Sequence, residues 1–296
     1  MVDSASTSRQ LGVLTGASAP DLTEDGQAVR RRLEQRGVEV DPILWTDESV
    51  GWSVYSTVLV RSCWEYHTDP DRFRTLLGEL STADVAVFNP LAAIRWNTHK
   101  SYLQKLAADG IDLPSTVVFD AGSTVFLESV LQRQGWDRAV VKPAIGASST
   151  GVWRTSRADA AAHSQRFHSA LQQRDLVVQE FLPEIRGGER SIVFIIGRYS
   201  HAWNDIPESD DFSAFDEVDL GYEPSEPIRN AARTVVETAA KRIGCAPSEL
   251  LYARVDYIER DDTLVLLELE LIEPFLGLRR SEGGLDRFVS ALVERL

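Results

Sequence analysis

The chain is poor in cysteine, in positive charge and in long apolar runs, and each shortage closes a class of explanation. Its two cysteines, Cys63 and Cys245, are far apart and sit in no metal-type spacing, which excludes a disulfide framework or zinc module and leads us to expect a reducing compartment. The first ten residues, MVDSASTSRQ, carry no apolar signal region, and no long uncharged apolar run follows, so a cytoplasmic protein without a membrane partner is expected. Lys and Arg number 31 against 45 Asp and Glu, giving a net charge of -14 with no basic stripe. That argues against a nucleic-acid partner but leaves room for a nucleotide held by a few local cations. No internal repeat or long low-complexity segment is visible. What is present is 296 residues, 43% of them hydrophobic, enough for a large core and more than one subdomain. The sequence is silent on oligomeric state, and a homo-oligomer stays open.

The stretch Leu251 to Pro274, LYARVDYIERDDTLVLLELELIEP, is the most informative. It reads as two strands joined by the acidic turn Glu259-Arg260-Asp261-Asp262. Period-two geometry places Arg254 and Asp256 on one face of the first strand, and Glu268 and Glu270 on one face of the second. Carboxylates on an apolar hairpin are costly to bury unless a positive group sits among them, and closely spaced carboxylate oxygens suit Mg²⁺. The competing reading is a strand with one wet face. A two-residue loop at Asp261-Asp262 sets Asp256 opposite Leu267, so a metal shared with Glu268 requires an odd-length loop or a bulge.

Strands at Leu11–Thr15, Val38–Trp45, Thr57–Val60 and Val85–Phe88 alternate with helical spacing at Asp25–Arg36 and Pro70–Leu80, which argues for a parallel α/β unit. Ligands in such sheets lie beyond the carboxyl ends of strands, where Arg61, Trp64 and Tyr66 fall. Arg61 either holds a substrate carboxylate beside an aromatic wall or is a structural ion-pair donor with Trp64 in the core. Asn97 to Asp109 reads as one helix with Lys100 in its first turn, and Gly122 to Gly135 as another. Ala139 to Arg154 runs from a strand through Lys142 into the loop Gly146-Ala147-Ser148-Ser149-Thr150-Gly151. Its glycine spacing matches a Walker loop, but Val152-Trp153 follows where Lys and Ser or Thr belong. The loop is either a phosphate cover, with Lys142 as a point charge, or a plain hairpin turn. Leu176 to Phe181 is a buried strand, and Asn204 to Glu226 is read as a long acidic loop of lid type.

Taken in order, RSCWEY, RWNTHKSYL, VVKPAIGASSTGV, VVQEFLPEIRGGERS, YSHAW, YARVDY and LLELELIEP resemble the ATP-grasp superfamily, most nearly the glutathione synthetase-like group that includes D-cycloserine-forming cyclo-ligases. The resemblance spans nearly the whole chain. It implies an α/β fold with an N-terminal parallel α/β domain (1–96) and two α+β subdomains (97–183 and 184–296) clasping ATP. It implies that Lys100 and Lys142 contact ATP phosphates and that the cover loop, with Gly146, Ser148, Ser149 and Gly151, folds over them. Gln179, Glu180, Phe181 and Leu182 would face adenine, and Glu189 the ribose. Asp256, Glu268 and Glu270 would hold Mg²⁺, and Arg254 would steady the transferred phosphate. Arg61, Trp64, Tyr66 and Asn204 fall on the substrate side. The implied activity is an ATP- and Mg²⁺-dependent carboxylate–nitrogen ligase that makes an acyl phosphate on a small amino-acid-like substrate. One departure stands out: where relatives bring a cation after the His-Ala pair, this chain has Asn204-Asp205. Arg198, Arg279 or Arg280 would have to substitute, the substrate would bring its own positive charge, or turnover would be weakened.

Overall fold

The structure, a computed structural model, describes residues 9–207 and 215–296. The chain begins with β1 (Arg9–Thr15), α1 (Glu24–Glu34), β2 (Val38–Leu44), β3 (Thr57–Val60), α2 (Pro70–Thr82) and β4 (Ala86–Phe88). These strands form an all-parallel sheet of order β2-β1-β3-β4. Its helices start where local chemistry satisfies their free N–H groups. Thr23 accepts from the Gly26 N–H, and Asp69 accepts from the Arg72 N–H with Pro70 next in line. In α2 the helical spacing buries Phe73, Leu76, Leu77 and Leu80 in one stripe.

The expected helix over residues 97–109 is instead two, α3 (Leu91–Asn97) and α4 (Tyr102–Ala108). Lys100 lies in the break between them, where its backbone N–H donates to the Ala144 carbonyl at 2.7 Å. Then come β5 (Thr116–Phe119), α5 (Leu127–Gln134), β6 (Arg138–Pro143), β7 (Trp153–Ser156), α6 (Ala160–Gln173) and β8 (Leu176–Glu180). α5 starts later than Ser123, because residues 121–126 form a turn and an extended entry. β5-β8-β6-β7 make an antiparallel sheet backed by the α5–α6 pair.

The rest comprises β9 (Glu189–Ile195), β10 (Arg198–Pro207), β11 (Phe215–Asp219), α7 (Glu226–Ile243), β12 (Tyr252–Arg260), β13 (Thr263–Glu270) and α8 (Gly284–Val293). The sheet order is β11-β10-β9-β12-β13, antiparallel throughout. The segment 204–226 is therefore not one long loop. β10 continues to Pro207, and β11 pairs back against it, Asn204 opposite Asp219. The lid residues Asp210, Asp211, Phe212, Ser213 and Ala214 lie outside the described residues. Among the described residues no helix is long and apolar enough to cross a membrane.

In the β12–β13 hairpin, both strands run further than the acidic composition suggests, leaving only Asp261 and Asp262 in the turn, both at positive φ. Arg260 pairs with Thr263 and Tyr257 with Leu266, but Asp256 pairs with Glu268. Leu267 is the extra residue of a bulge. This is the irregularity the sequence requires if Asp256 and Glu268 are to share a face. The outer edge of β13 is closed by side chains. Asn97 donates to the Leu269 carbonyl (2.8 Å) and accepts from the Leu271 N–H (2.9 Å), and the Tyr102 hydroxyl bonds both backbone groups of Leu269 (2.9 and 3.0 Å). These side chains do for an exposed strand edge what a further strand would do.

Candidate active site

A cavity of about 880 Å³ opens between the β5-β8-β6-β7 sheet and the bulged hairpin. It is lined by Lys100, Lys142, Gly146, Ser148, Ser149, Gln179, Glu180, Phe181, Leu182, Glu189, Arg254, Asp256, Glu268 and Glu270, together with Trp64 and Tyr66. Three residues expected there lie elsewhere. Gly151 does not line the cavity; it closes the β6–β7 connection at φ +77°. The Arg61 guanidinium lies over the Tyr252 ring (5.2 Å) and the Phe288 ring (5.9 Å), a packing position behind the cavity wall. Asn204 points away from the cavity by strand alternation and donates to the Gly187 carbonyl at 3.3 Å, while its neighbours Trp203 and Asp205 face in.

One end of the cavity is mostly apolar. Val140, Phe181, Leu182, Ile258 and Leu267 line it, and the end of β8 brings Gln179 and Glu180. Gln179 is fixed by its Nε2 donating to Thr116 Oγ1 at 2.9 Å. The bulge matters here too, because it turns both Leu267 and Glu268 toward the cavity. Above them runs the loop 144–152, with Ser148 and Ser149 both at positive φ. The loop joins two antiparallel strands, as a hairpin connection does, and it also lines the cavity.

The centre is charged. Lys100 ion-pairs with Glu268 and donates to the Gly146 carbonyl at 3.1 Å, tying the loop to the hairpin. Arg254 grips Asp256 through Nε (2.8 Å) and Nη2 (2.9 Å), Glu270 through Nη2 (2.7 Å), and the Phe275 carbonyl through Nη1 (2.9 Å). Ser191 adds a hydrogen bond to Asp256 at 2.7 Å. Two buried ionisable groups have no such partner among the described residues: Lys142, 9% exposed, and Glu273, 7% exposed, make no ion pair or side-chain hydrogen bond. Burial pushes the Lys142 ammonium below its ordinary value, and Lys100 adds to that shift. Burial opposes charge on Glu268 as well, but Lys100 and Lys142 outweigh it and hold the carboxyl low. Burial together with the neighbouring Asp256 lifts Glu189 to about 8. Burial lifts Glu270 to about 7, with Asp256 and Glu268 opposing the relief from Arg254.

The other end is aromatic and acidic. Trp64, Tyr66, Trp203 and Phe275 form walls around Asp205 and Glu273. Of the three arginines the sequence offers as a substitute cation, Arg280 lines the cavity, stacked on Phe275 at 4.9 Å. Arg279 pairs with Glu24 at 2.5 Å, and Arg198 opens β10 opposite Ile195. Sequence reasoning did not place Trp203 or Glu273 at the site, and it named Asp205 only as the neighbour of Asn204. Trp203 and Asp205 could have been found from the alternation of β10.

Gly188, just before β9, has φ +106°, and an added Cβ would sit 2.0 Å from Asn204 Oδ1. Gly188→Ala is expected to cost about 1–3 kcal/mol, read from urea unfolding, through combined backbone strain and collision. A change under 0.5 kcal/mol would remove Gly188 from the account of how Glu189 is positioned.

Residues 111–260 match the prokaryotic glutathione synthetase ATP-grasp domain family, and residues 11–89 match the D-cycloserine synthetase DcsG N-terminal domain family. The cycloserine biosynthesis protein DcsG of Streptomyces lavendulae is 27% identical, over 97% of this chain and 98% of its own length. A crystal structure of D-cycloserine synthetase DcsG superposes with a TM-score of 0.85 at 27% identity, covering 97% of this chain and 99% of that one. The D-alanine–D-alanine ligase of Bacillus anthracis, solved with ATP, shares the fold at a TM-score of 0.68 and 17% identity, covering 97% and 98% of the two chains.

Proposed function

The chain belongs to the prokaryotic glutathione synthetase ATP-grasp family, and from that premise we propose that it is an ATP- and Mg²⁺-dependent ligase joining a carboxylate to a nitrogen on a small amino-acid-like substrate. The observation that carries this reading is the bulged hairpin. It presents Asp256, Glu268, Glu270 and Arg254 on one cavity wall opposite Lys142 and the Gly146–Thr150 cover. The apolar end with Gln179 to Leu182 suits a flat base, and the charged centre suits phosphates. The co-substrate ATP would turn a carboxylate, a poor electrophile, into an acyl phosphate, from which a nitrogen nucleophile displaces phosphate. Arg254 and the lysines would steady the charge that moves during transfer. The small-residue cover would exclude water from the acyl phosphate.

The donor set fits Mg²⁺. Asp256 faces Glu268 across the ladder and Glu270 follows on the same face; burial first, and like charge from Asp256 and Glu268 second, raise both Glu189 and Glu270. Among the described residues no group of three such side chains forms a ready-made cage. This agrees with the habit of Mg²⁺ of taking one or two carboxylates and completing its shell with substrate phosphates and water. Bound there, Mg²⁺ would supply charge neutralisation at the phosphate oxygens.

The test is release of ADP and phosphate from Mg-ATP across a panel of amino acids and amino-acid pairs, O-ureido-D-serine included. ADP and free phosphate appearing together with one substrate is the expected result. ADP without free phosphate would replace the ligase with a kinase, and absence of both release and Mg-ATP thermal stabilisation would sink the nucleotide reading. Lys142→Ala is expected to weaken binding of a non-hydrolysable ATP analogue about 10- to 100-fold, the loss of one charge-assisted contact. Unchanged affinity by calorimetry would reject its phosphate role.

A further inference from the structure

Glu273 is the buried charge in this cavity that the proposed chemistry leaves without a task. It follows β13, is 7% exposed, lines the cavity, and has no hydrogen bond or ion pair for its carboxylate among the described residues. Its close electrostatic neighbour Glu270 is of like sign, and neither Arg61 nor Arg254 comes within ion-pair distance. Burying a carboxylate in this way is unfavourable unless a cation arrives. The walls beside it are aromatic. Trp64 is pinned there by its Nε1 donating to the Glu273 carbonyl at 3.1 Å, and Tyr66 is buried close to Glu273 and Glu270.

A carboxylate flanked by aromatic rings is chemistry that receives an ammonium group, through a charge-assisted hydrogen bond and attraction to the ring faces. The position is also set relative to the centre. Along the hairpin wall Leu267, beside the apolar end, comes first, Glu270 ends β13, and Glu273 follows it in the chain. We propose that Glu273 receives the protonated amino group of the substrate and thereby sets this chain's preference for an amine over the corresponding hydroxy acid. The assignment rests on the ligase reading above, because it takes the charged centre as the place of the reacting carboxylate. It also accounts for the acidic character of Asp205 on the same side.

The experiment is calorimetric titration of the full chain with D-serine, L-serine and O-ureido-D-serine, each against its counterpart with hydroxyl in place of the amine. It is run with and without Mg²⁺ and a non-hydrolysable ATP analogue. The wild type is expected to bind at least one amine tenfold or more tighter than its hydroxy acid. Glu273→Gln should bring that ratio to about one and leave affinity for the ATP analogue unchanged. Its melting temperature should equal or exceed that of the wild type, because an ionisable group that burial and Glu270 disfavour as a carboxylate has been removed. A wild-type ratio near one, including no binding of any amine, overturns the proposal, and so does a ratio that survives Glu273→Gln. The wild-type ratio needs no variant to fold. Failure of the ATP analogue to bind would fault the ligase reading separately, since the amine preference is also read without nucleotide.

Discussion

Glu268→Gln is expected to lower turnover about 10²- to 10³-fold and, in the same protein, to lower stability by about 2–4 kcal/mol. The two losses have different origins. Turnover falls because a carboxylate on the bulged wall, opposite Asp256, no longer contributes to the charged centre. Stability falls because Lys100, 8% exposed, loses the carboxylate that pairs with it and stays buried as an ammonium. Glu268 keeps a quarter of its side chain exposed, which places the expected cost at or below the range for fully buried pairs. The double variant Lys100→Met/Glu268→Gln separates the effects. Removing both charges should recover most of the stability and none of the turnover. If the double variant is as unstable as the single one, the pair is not what holds Lys100 in place. If the single variant turns over like the wild type, Glu268 has no part in the chemistry. The pH dependence has a fixed sign. The Lys100–Glu268 pair holds the Glu268 carboxyl below its ordinary value of 4.5, so its contribution is present above that value and is lost as pH falls through the lower folded value. The stability gap between wild type and Glu268→Gln should therefore hold at neutral pH and close in acid.

How far the sequence carries can be judged from this same hairpin. The alternation of YARVDY and LLELELIEP, with a turn of two aspartates, specifies the strands and makes a bulge necessary if the acidic residues are to share a wall. The position of the bulge at Leu267 is legible only in hindsight. It reconciles two demands: Leu264, Leu266 and Leu269 pack toward α7, while Leu267 and Glu268 line the cavity. Lys142 and its loop are legible because small residues after a β-rich run are uncommon in a core. Lys100 is recognisable by resemblance, but the helix break around it is not, since Asn97 to Asp109 has an unbroken helical pattern. The break comes from tertiary contact, with the Lys100 N–H committed to the Ala144 carbonyl and Asn97 and Tyr102 committed to the edge of β13. β11 was hidden because acidic, Ser- and Pro-rich composition reads as loop, and a strand at a sheet edge needs little apolar content. Glu273 was hidden for a plainer reason. Its role depends on what it does not touch, and a sequence does not record missing partners.

The largest stability effect outside the cavity is expected at Asn89, a residue no motif singles out. It follows β4 and is completely buried. Its Nδ2 donates to the carbonyls of Tyr252 (2.8 Å) and Leu271 (2.9 Å), and its Oδ1 accepts from the Tyr252 N–H (3.2 Å). One amide thus serves three backbone groups where the N-terminal sheet meets the base of the hairpin. Asn89→Leu fits a similar volume but leaves all three unsatisfied in a fully buried site. At about 1–3 kcal/mol for each, the cost should reach about 3–9 kcal/mol, a large share of the stability of an ordinary protein. Asn89→Asp is the sharper control. Its carboxylate still accepts from the Tyr252 N–H but faces two carbonyls with no hydrogen to offer, so it should lose nearly as much as Leu. Urea midpoints of the two variants decide the matter. If Asp is mild and Leu severe, the residue acts mainly as an acceptor. If both cost under 1 kcal/mol, the joint between sheet and hairpin is held by apolar packing alone. Should both be severe, turnover lost in either variant follows from the hairpin base moving, because Glu270 and Glu273 flank the strand end that Asn89 holds.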